Sequence, residues 1–164
     1  MADIGIDRRA LIAAGIASVA GVMFLRTPSA ASPRGFAVTH STEEWKRLLG
    51  PQRYAGLREA STERPGSSPL LNEHRRGTFV CAGCALPLFS STTKFESGTG
   101  WPSFWRSLPH AVIERSDRSL LMERTEVLCA RCGGHLGHVF PDGPKPTGQR
   151  YCMNGAALKF DEKK

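Results

Sequence analysis

The sequence predicts a mainly β, loop-rich domain stapled by a metal site, on three observations. Seventeen glycines and eleven prolines in 164 residues, with 40% hydrophobic residues and few long apolar runs, argue against a helical bundle. From Gly77 onward, short runs of strand-forming residues alternate with turn residues. Two Cys-x-x-Cys pairs, Cys81-Ala82-Gly83-Cys84 and Cys129-Ala130-Arg131-Cys132, stand far apart in the chain. Each spacing lets two sulfurs reach one tetrahedral ion at about 2.3 Å, so together they form a closed four-cysteine zinc site. Short strands with long loops need such a staple.

Taken in order, residues 1–31 differ from the rest. Leu11 to Leu25 carries no charge, is shorter than a membrane-spanning helix, and is followed by the small residues Ser29, Ala30 and Ala31. Asp7-Arg8-Arg9-Ala10-Leu11-Ile12 precedes it. This pattern is expected to be a twin-arginine export signal, cleaved near Ala31, with a periplasmic or exported product that keeps no stable membrane insertion. A general secretory signal and an uncleaved membrane anchor are the alternatives. Without residues 1–31 the chain has 19 basic and 13 acidic residues, a net of +6.

Residues 32–40 form a linker, and residues 41–164 the folded domain. Ser41-Thr42-Glu43-Glu44 is a capping box ahead of Trp45, Leu48 and Leu49, which starts a short helix. Pro51 opens a second short helix through Tyr54, Leu57 and Arg58, and Thr62-Glu63-Arg64-Pro65-Gly66 turns the chain. Strands are expected at Thr78 to Val80, Ala111 to Arg115, Ser119 to Arg124, Glu126 to Leu128, His138 to Phe140, Arg150 to Asn154 and Ala157 to Phe160. Turns are expected at Ser116-Asp117 and Pro141-Asp142-Gly143-Pro144.

The net charge of +7 for the whole chain would suit nucleic acid only if the basic residues formed a stripe or tail. They are interleaved with acids such as Glu43, Glu44, Glu114, Glu123 and Glu126, which predicts a solvated surface and no nucleic-acid partner. For the cysteine pairs, disulfides or redox dithiols compete with zinc, and His135 competes as a substitute ligand. An exported protein folded before transport would meet its metal before any oxidant.

Cys152 is the fifth cysteine. In Arg150-Tyr151-Cys152-Met153-Asn154, a strand would put Arg150, Cys152 and Asn154 on one face. A neighbouring guanidinium favours the thiolate, which is the nucleophile, although a lone cysteine is as often simply buried. Gly133-Gly134-His135-Leu136-Gly137-His138 places two imidazoles among glycines, either as loop residues or as acids near neutral pH.

Three blocks, Lys94-Phe95-Glu96-Ser97-Gly98-Thr99-Gly100-Trp101-Pro102-Ser103-Phe104, Gly134-His135-Leu136-Gly137-His138-Val139-Phe140 and Arg150-Tyr151-Cys152-Met153-Asn154, closely resemble the B-type methionine-R-sulfoxide reductases. The resemblance runs from about Trp45 to Phe160. It implies two antiparallel sheets with short N-terminal helices and a structural zinc away from the chemistry. It further implies that Cys152 attacks the sulfoxide sulfur and becomes a sulfenic acid, while His138 protonates the departing oxygen. His135, Arg150 and Asn154 would surround that oxygen, Asp142 would orient His138, and Trp101 with Phe140 would form the apolar wall for the substrate methyl group. Trp45 and Trp105 are expected in the core. The implied partners are oxidised proteins as substrate and a thiol reductant, either thioredoxin-like or a periplasmic thiol-reducing system, acting on a monomer.

One position departs from the pattern. Many members carry a resolving cysteine where Thr99 stands, and with five cysteines, four of them on zinc, none is left to play that part. A zinc-ribbon binding module and a thiol peroxidase are the rival readings.

Overall fold

The structure, a computed structural model, describes residues 35–118 and 123–163. The expected export signal, the start of the linker and most of the expected strand Ser119–Arg124 lie outside the described residues. No helix among the described residues is long and apolar enough to cross a membrane.

Helix α1 spans Thr42–Glu59 and opens with the expected capping box: Glu44 N–H donates to Ser41 Oγ (3.2 Å) while Ser41 N–H donates to Glu44 Oε2 (2.9 Å). Gly50, at φ 69°, breaks it just before Pro51, so the two expected short helices are joined across a kink. Trp45, Leu49 and Leu57 are its buried face. Arg58 stacks on the Trp45 ring at 4.9 Å and donates to the carbonyl of Cys132 at 2.9 Å, so the helix lies over the second cysteine knuckle.

Among the described residues nine strands follow: β1 Gly77–Cys81, β2 Pro87–Ser90, β3 Lys94–Phe95, β4 Ser103–Phe104, β5 Val112–Asp117, β6 Arg124–Cys129, β7 His135–Phe140, β8 Arg150–Met153 and β9 Leu158–Glu162. They form two antiparallel sheets, β2-β1-β9 and β3-β4-β8-β7-β6-β5. β2, β3 and β4 were not expected: β2 is an edge strand that starts on a proline, and the other two are two residues each, too short for periodicity to register. β5 runs on through Asp117, so Ser116-Asp117 is strand rather than turn.

The sheets meet through aromatic side chains. Phe79 of β1 meets Phe104 of β4 edge-on at 4.9 Å, and Phe89 of β2 stacks on Phe104 at 4.4 Å and tilts against Tyr151 of β8 at 5.7 Å. Phe79, Phe89 and Phe104 are fully buried, each contributing about 1.5–3 kcal/mol by burial. Trp45 is in the core as expected. Trp105 is only half-buried, its ring covered by Arg106 at 5.0 Å, because it follows the short β4 out of the sheet. The buried Tyr151 and Met153 of β8 alternate with Arg150 and Cys152, which turns the latter pair to the opposite face.

Candidate active site and metal site

Strand register assembles the site. Cys152 of β8 is paired with Ser103 of β4 on one side and with His138 of β7 on the other, and His138 is paired in turn with Glu126 of β6 and Glu126 with Arg115 of β5. Directly opposed residues share a face, so one transverse row carries a thiol, an imidazole, a carboxylate and a guanidinium. Arg150 and Phe140 form the next pair, with the guanidinium 4.6 Å from the ring centre.

His135 and His138 differ by three positions and would point to opposite faces of a regular strand. The register shifts between Val127 and Leu128, where β7 carries an extra residue, and this bulge brings the two rings to 5.5 Å. Gly137 makes the bulge possible. Its φ is 149°, and a Cβ there would collide with the carbonyl oxygen of Cys152.

A cleft of about 170 Å³ opens over this face, lined by Cys152, His138, His135, Trp101, Phe140 and Asn154, all expected, and by Thr62, Arg124, Gly137 and Met153. Its apolar side suits a thioether, and its polar side holds proton donors. Trp101 donates its indole N–H to the carbonyl of Glu63 at 3.1 Å, which fixes the wall.

One expected pairing needs correction. Asp142 does not orient His138: its carboxylate takes both arms of Arg150, at 2.9 and 2.8 Å, and that pairing pulls its pKa down. The partner of His138 is Asp117, whose Oδ2 lies 2.8 Å from His138 Nε2 and 2.8 Å from an Arg124 nitrogen. The reason is topological, since β5 brings Asp117 alongside β6 while Asp142 sits in the loop after β7 beside the start of β8. Asn154, beyond the end of β8, lines the cleft, but its amide holds backbone: Nδ2 donates to Ser61 O at 2.7 Å and Oδ1 accepts from Glu63 N–H at 3.4 Å.

Arg150 has its pKa raised, first by Asp142 and more weakly by the Cys152 sulfur, so a cation stands beside the thiol. His135 Nδ1 lies 2.7 Å from Glu126 Oε1, and Glu126 Oε2 also accepts from Arg115 at 3.1 and 2.6 Å. Burial lowers the pKa of His135 despite Glu126; burial alone would raise that of Glu126, but its hydrogen bonds from His135 and Arg115 prevail and lower it. His135 is therefore neutral, donating Nδ1–H to a carboxylate and keeping Nε2 as an acceptor. Neither Asp117 nor Glu126 stands in a motif, so only the register of β5, β6 and β7 reveals them. Thr99, the position without a resolving cysteine, puts its hydroxyl 3.8 Å from Cys152 Sγ.

The other four cysteines converge elsewhere. Cys81 ends β1 and Cys129 ends β6, and each is followed by a knuckle that returns its partner sulfur. None of the five cysteines is in a disulfide. Cys81 and Cys132 sulfurs are 3.7 Å apart, Cys84 and Cys129 sulfurs 3.5 Å, and all four lie within 4.8 Å of one another. Four thiolates about 2.3 Å from a tetrahedral ion would be about 3.8 Å apart, so the donor set fits zinc. Hydrogen bonds from Cys132 and Cys81 pull Cys129 down, while Cys81, Cys84 and Cys132 are pushed up by neighbouring sulfurs and burial. A divalent cation would let all four ionise. His135 is not among the four ligands; it faces the cleft, which none of these cysteines lines.

The SelR domain family matches residues 49–162. A protein of Bradyrhizobium diazoefficiens described as "Peptide methionine sulfoxide reductase MsrB" is 58% identical over 127 residues, covering 77% of this chain and 91% of its own. Proteins with the same description from Leptospira interrogans, 52% identical over 128 residues, and Methanosarcina barkeri, 53% over 125, are covered to 98% and 88% of their lengths, and each match spans 77% and 76% of this chain. With that breadth of match, and a cleft that pairs a thiol with an imidazole, the chain belongs to the SelR domain family, the peptide methionine sulfoxide reductases of the MsrB type.

Proposed function

We propose that the protein reduces methionine-R-sulfoxide, chiefly in oxidised proteins, by direct attack of Cys152 on the sulfoxide sulfur. The observation that carries this reading is the side-by-side register of His138 and Cys152 under an apolar wall. The thiolate forms a bond to the substrate sulfur, and His138, held by Asp117, gives the sulfoxide oxygen a proton. The S–O bond and the transient bond between the two sulfurs break as the hydroxyl passes to the Cys152 sulfur, which is oxidised by two electrons to a sulfenic acid while the substrate sulfur is reduced by two and leaves as methionine. Arg150 places a cation beside the Cys152 sulfur, and neutral His135 accepts a hydrogen bond from the protonated oxygen. Trp101 and Phe140 receive the substrate's methyl group.

With threonine at position 99, the sulfenic acid is returned to thiol by two equivalents of an external thiol, giving a disulfide of that reductant and water. The reductant is thioredoxin-like or a periplasmic thiol system. Zinc at Cys81, Cys84, Cys129 and Cys132 is structural: it would clamp β1 to β6, one strand from each sheet, and supplies no step of the reaction. The composition of residues 1–31 supports export to the periplasm, which N-terminal sequencing of the secreted protein would check.

The test is reduction of separate R- and S-epimers of a methionine sulfoxide peptide with dithiothreitol, by wild type and Cys152→Ser. R-specific turnover lost in the variant is expected, and turnover of hydrogen peroxide in its place would favour a peroxidase. A single turnover without reductant should yield one methionine per chain and a dimedone-reactive Cys152.

A further inference from the structure

The cleft wall is held from behind by an acid that takes no part in the chemistry. Residues 61–66 form a strap fastened at several points. Asn154 Nδ2 donates to Ser61 O at 2.7 Å, and Gly66 N–H donates to Gly100 O at 2.8 Å. Between them, Glu63 makes three different bonds. Its carbonyl accepts the Trp101 indole N–H at 3.1 Å, its N–H reaches Asn154 Oδ1 at 3.4 Å, and its carboxylate accepts from the backbone N–H of Gly155 at 2.5 Å. The 3.4 Å bond is too long to orient the peptide, whereas a carboxylate on a backbone amide is roughly twice as strong as a neutral bond.

The carboxylate is built in. Burial pushes the Glu63 carboxyl up, against the opposing hydrogen bonds of the Gly155 and Ala156 amides. Gly155 has no side chain at the point of approach: a Cβ there would lie 2.9 Å from Glu63 Oε1 and collide with Ser68 Oγ. Desolvating a carboxylate costs stability, and the bonds it makes here fix the one peptide whose carbonyl anchors Trp101.

We propose that Glu63 is a positioning residue for substrate recognition, its carboxylate locking the strap so that its carbonyl sets the tilt of Trp101 over the sulfur of Cys152. The inference rests on the cleft being the sulfoxide site. Glu63 touches no reacting atom, so its loss acts on how the methyl-bearing end of the substrate is seated and leaves the thiol untouched.

The experiment compares wild type, Glu63→Gln and Glu63→Ala on an R-sulfoxide peptide with dithiothreitol, alongside the indole N–H resonances of ¹⁵N-tryptophan-labelled protein, with Trp101 assigned through Trp101→Phe. Glu63→Ala is expected to raise KM about tenfold with kcat within about threefold, and to displace the Trp101 indole resonance while Trp45 and Trp105 stay in place. Glu63→Gln keeps an acceptor for Gly155 and should fall between. Alkylation of Cys152 by iodoacetamide should proceed at the wild-type rate in both. A purely structural acid would lower the unfolding temperature and leave KM and the Trp101 resonance alone, which overturns the proposal. So does a displaced resonance with unchanged KM. If the alanine variant does not fold, an unchanged KM and resonance in Glu63→Gln overturn it equally. A wild type inactive on sulfoxide would refute the functional reading, while the displaced resonance would still show that Glu63 sets Trp101.

Discussion

Replacing Gly137 by alanine tests the link between fold and chemistry most directly. At φ 149° an L-residue is strained, by about 1–3 kcal/mol. The added Cβ would also collide with the Cys152 carbonyl and stand 3.0 Å from Met153 Cα and 3.1 Å from Met153 Cε. Two of these neighbours are backbone and cannot swing away, and overpacking of this kind costs about 1–3 kcal/mol. The sum is about 2–6 kcal/mol, a large part of a domain's stability of about 5–15 kcal/mol. The relief is to push β7 away from β8 at the rung that pairs His138 with Cys152. A shift of about 1 Å at reacting groups costs about a hundredfold in rate. Gly148→Ala is the control, because Gly148 also has a positive φ, 71°, but a Cβ there meets nothing within 4 Å. Urea unfolding and kcat/KM on an R-sulfoxide peptide would be measured for both. Gly137→Ala should lose about 1–3 kcal/mol more than the control, the overpacking left once the shared backbone strain cancels, and at least about tenfold more activity. Equal losses in the two variants would refute the claim that the bulge, rather than backbone freedom alone, builds the site.

Asp117→Ala removes the carboxylate on His138, a charge-assisted bond of about 1.5–3 kcal/mol, so kcat should fall about 10–100-fold with little change in KM; Asp142→Ala, which reaches the site only through Arg150, should fall less than about tenfold. The order reversed in steady-state kinetics would restore Asp142 as the partner of His138. Stability should decline as pH drops below about 6.5, because His135 and Glu126 both have pKa values lowered in the folded state and the unfolded chain therefore binds more protons; Glu63, raised by burial, opposes this only above its ordinary 4.5. His135→Asn should flatten the slope near pH 6 in denaturant midpoints. Metal analysis should find one zinc per chain, and its removal by a strong chelator should lower the unfolding temperature by more than about 10 °C, since binding at four thiolates is folding free energy on the order of 10 kcal/mol. Thr99→Cys places a sulfur where a hydroxyl already lies 3.8 Å from Cys152 Sγ, so single turnover should leave a 99–152 disulfide by mass spectrometry in place of a dimedone-reactive acid.

Each part of the molecule was legible to the extent that its signal is local. The capping box at Ser41, the break before Pro51 and the paired cysteine spacings are chemistry within a few residues, and all stand as read. The Gly134 to Phe140 run placed two imidazoles among glycines, yet did not show that a bulge turns both to one face. β2 begins on a proline, which speaks against a strand, and β3 and β4 are two residues each, too short to carry a period. The resemblance pairs Asp142 with His138, whereas in the fold Asp142 meets Arg150 and His138 finds Asp117, since a side chain finds its partner across strands.

The sequence by itself determined the inventory: two cysteine pairs spaced to hold a metal ion, one thiol outside them, two histidines among glycines and no cysteine at position 99. Spacing and residue chemistry are enough for that, because knuckles and caps close within single turns. Which acid serves which base was decided only by tertiary structure. Asp117 reaches His138, Glu126 reaches His135 and Glu63 reaches behind Trp101 from separate parts of the chain, and their pairing depends on sheet register and strap placement, which long-range packing sets.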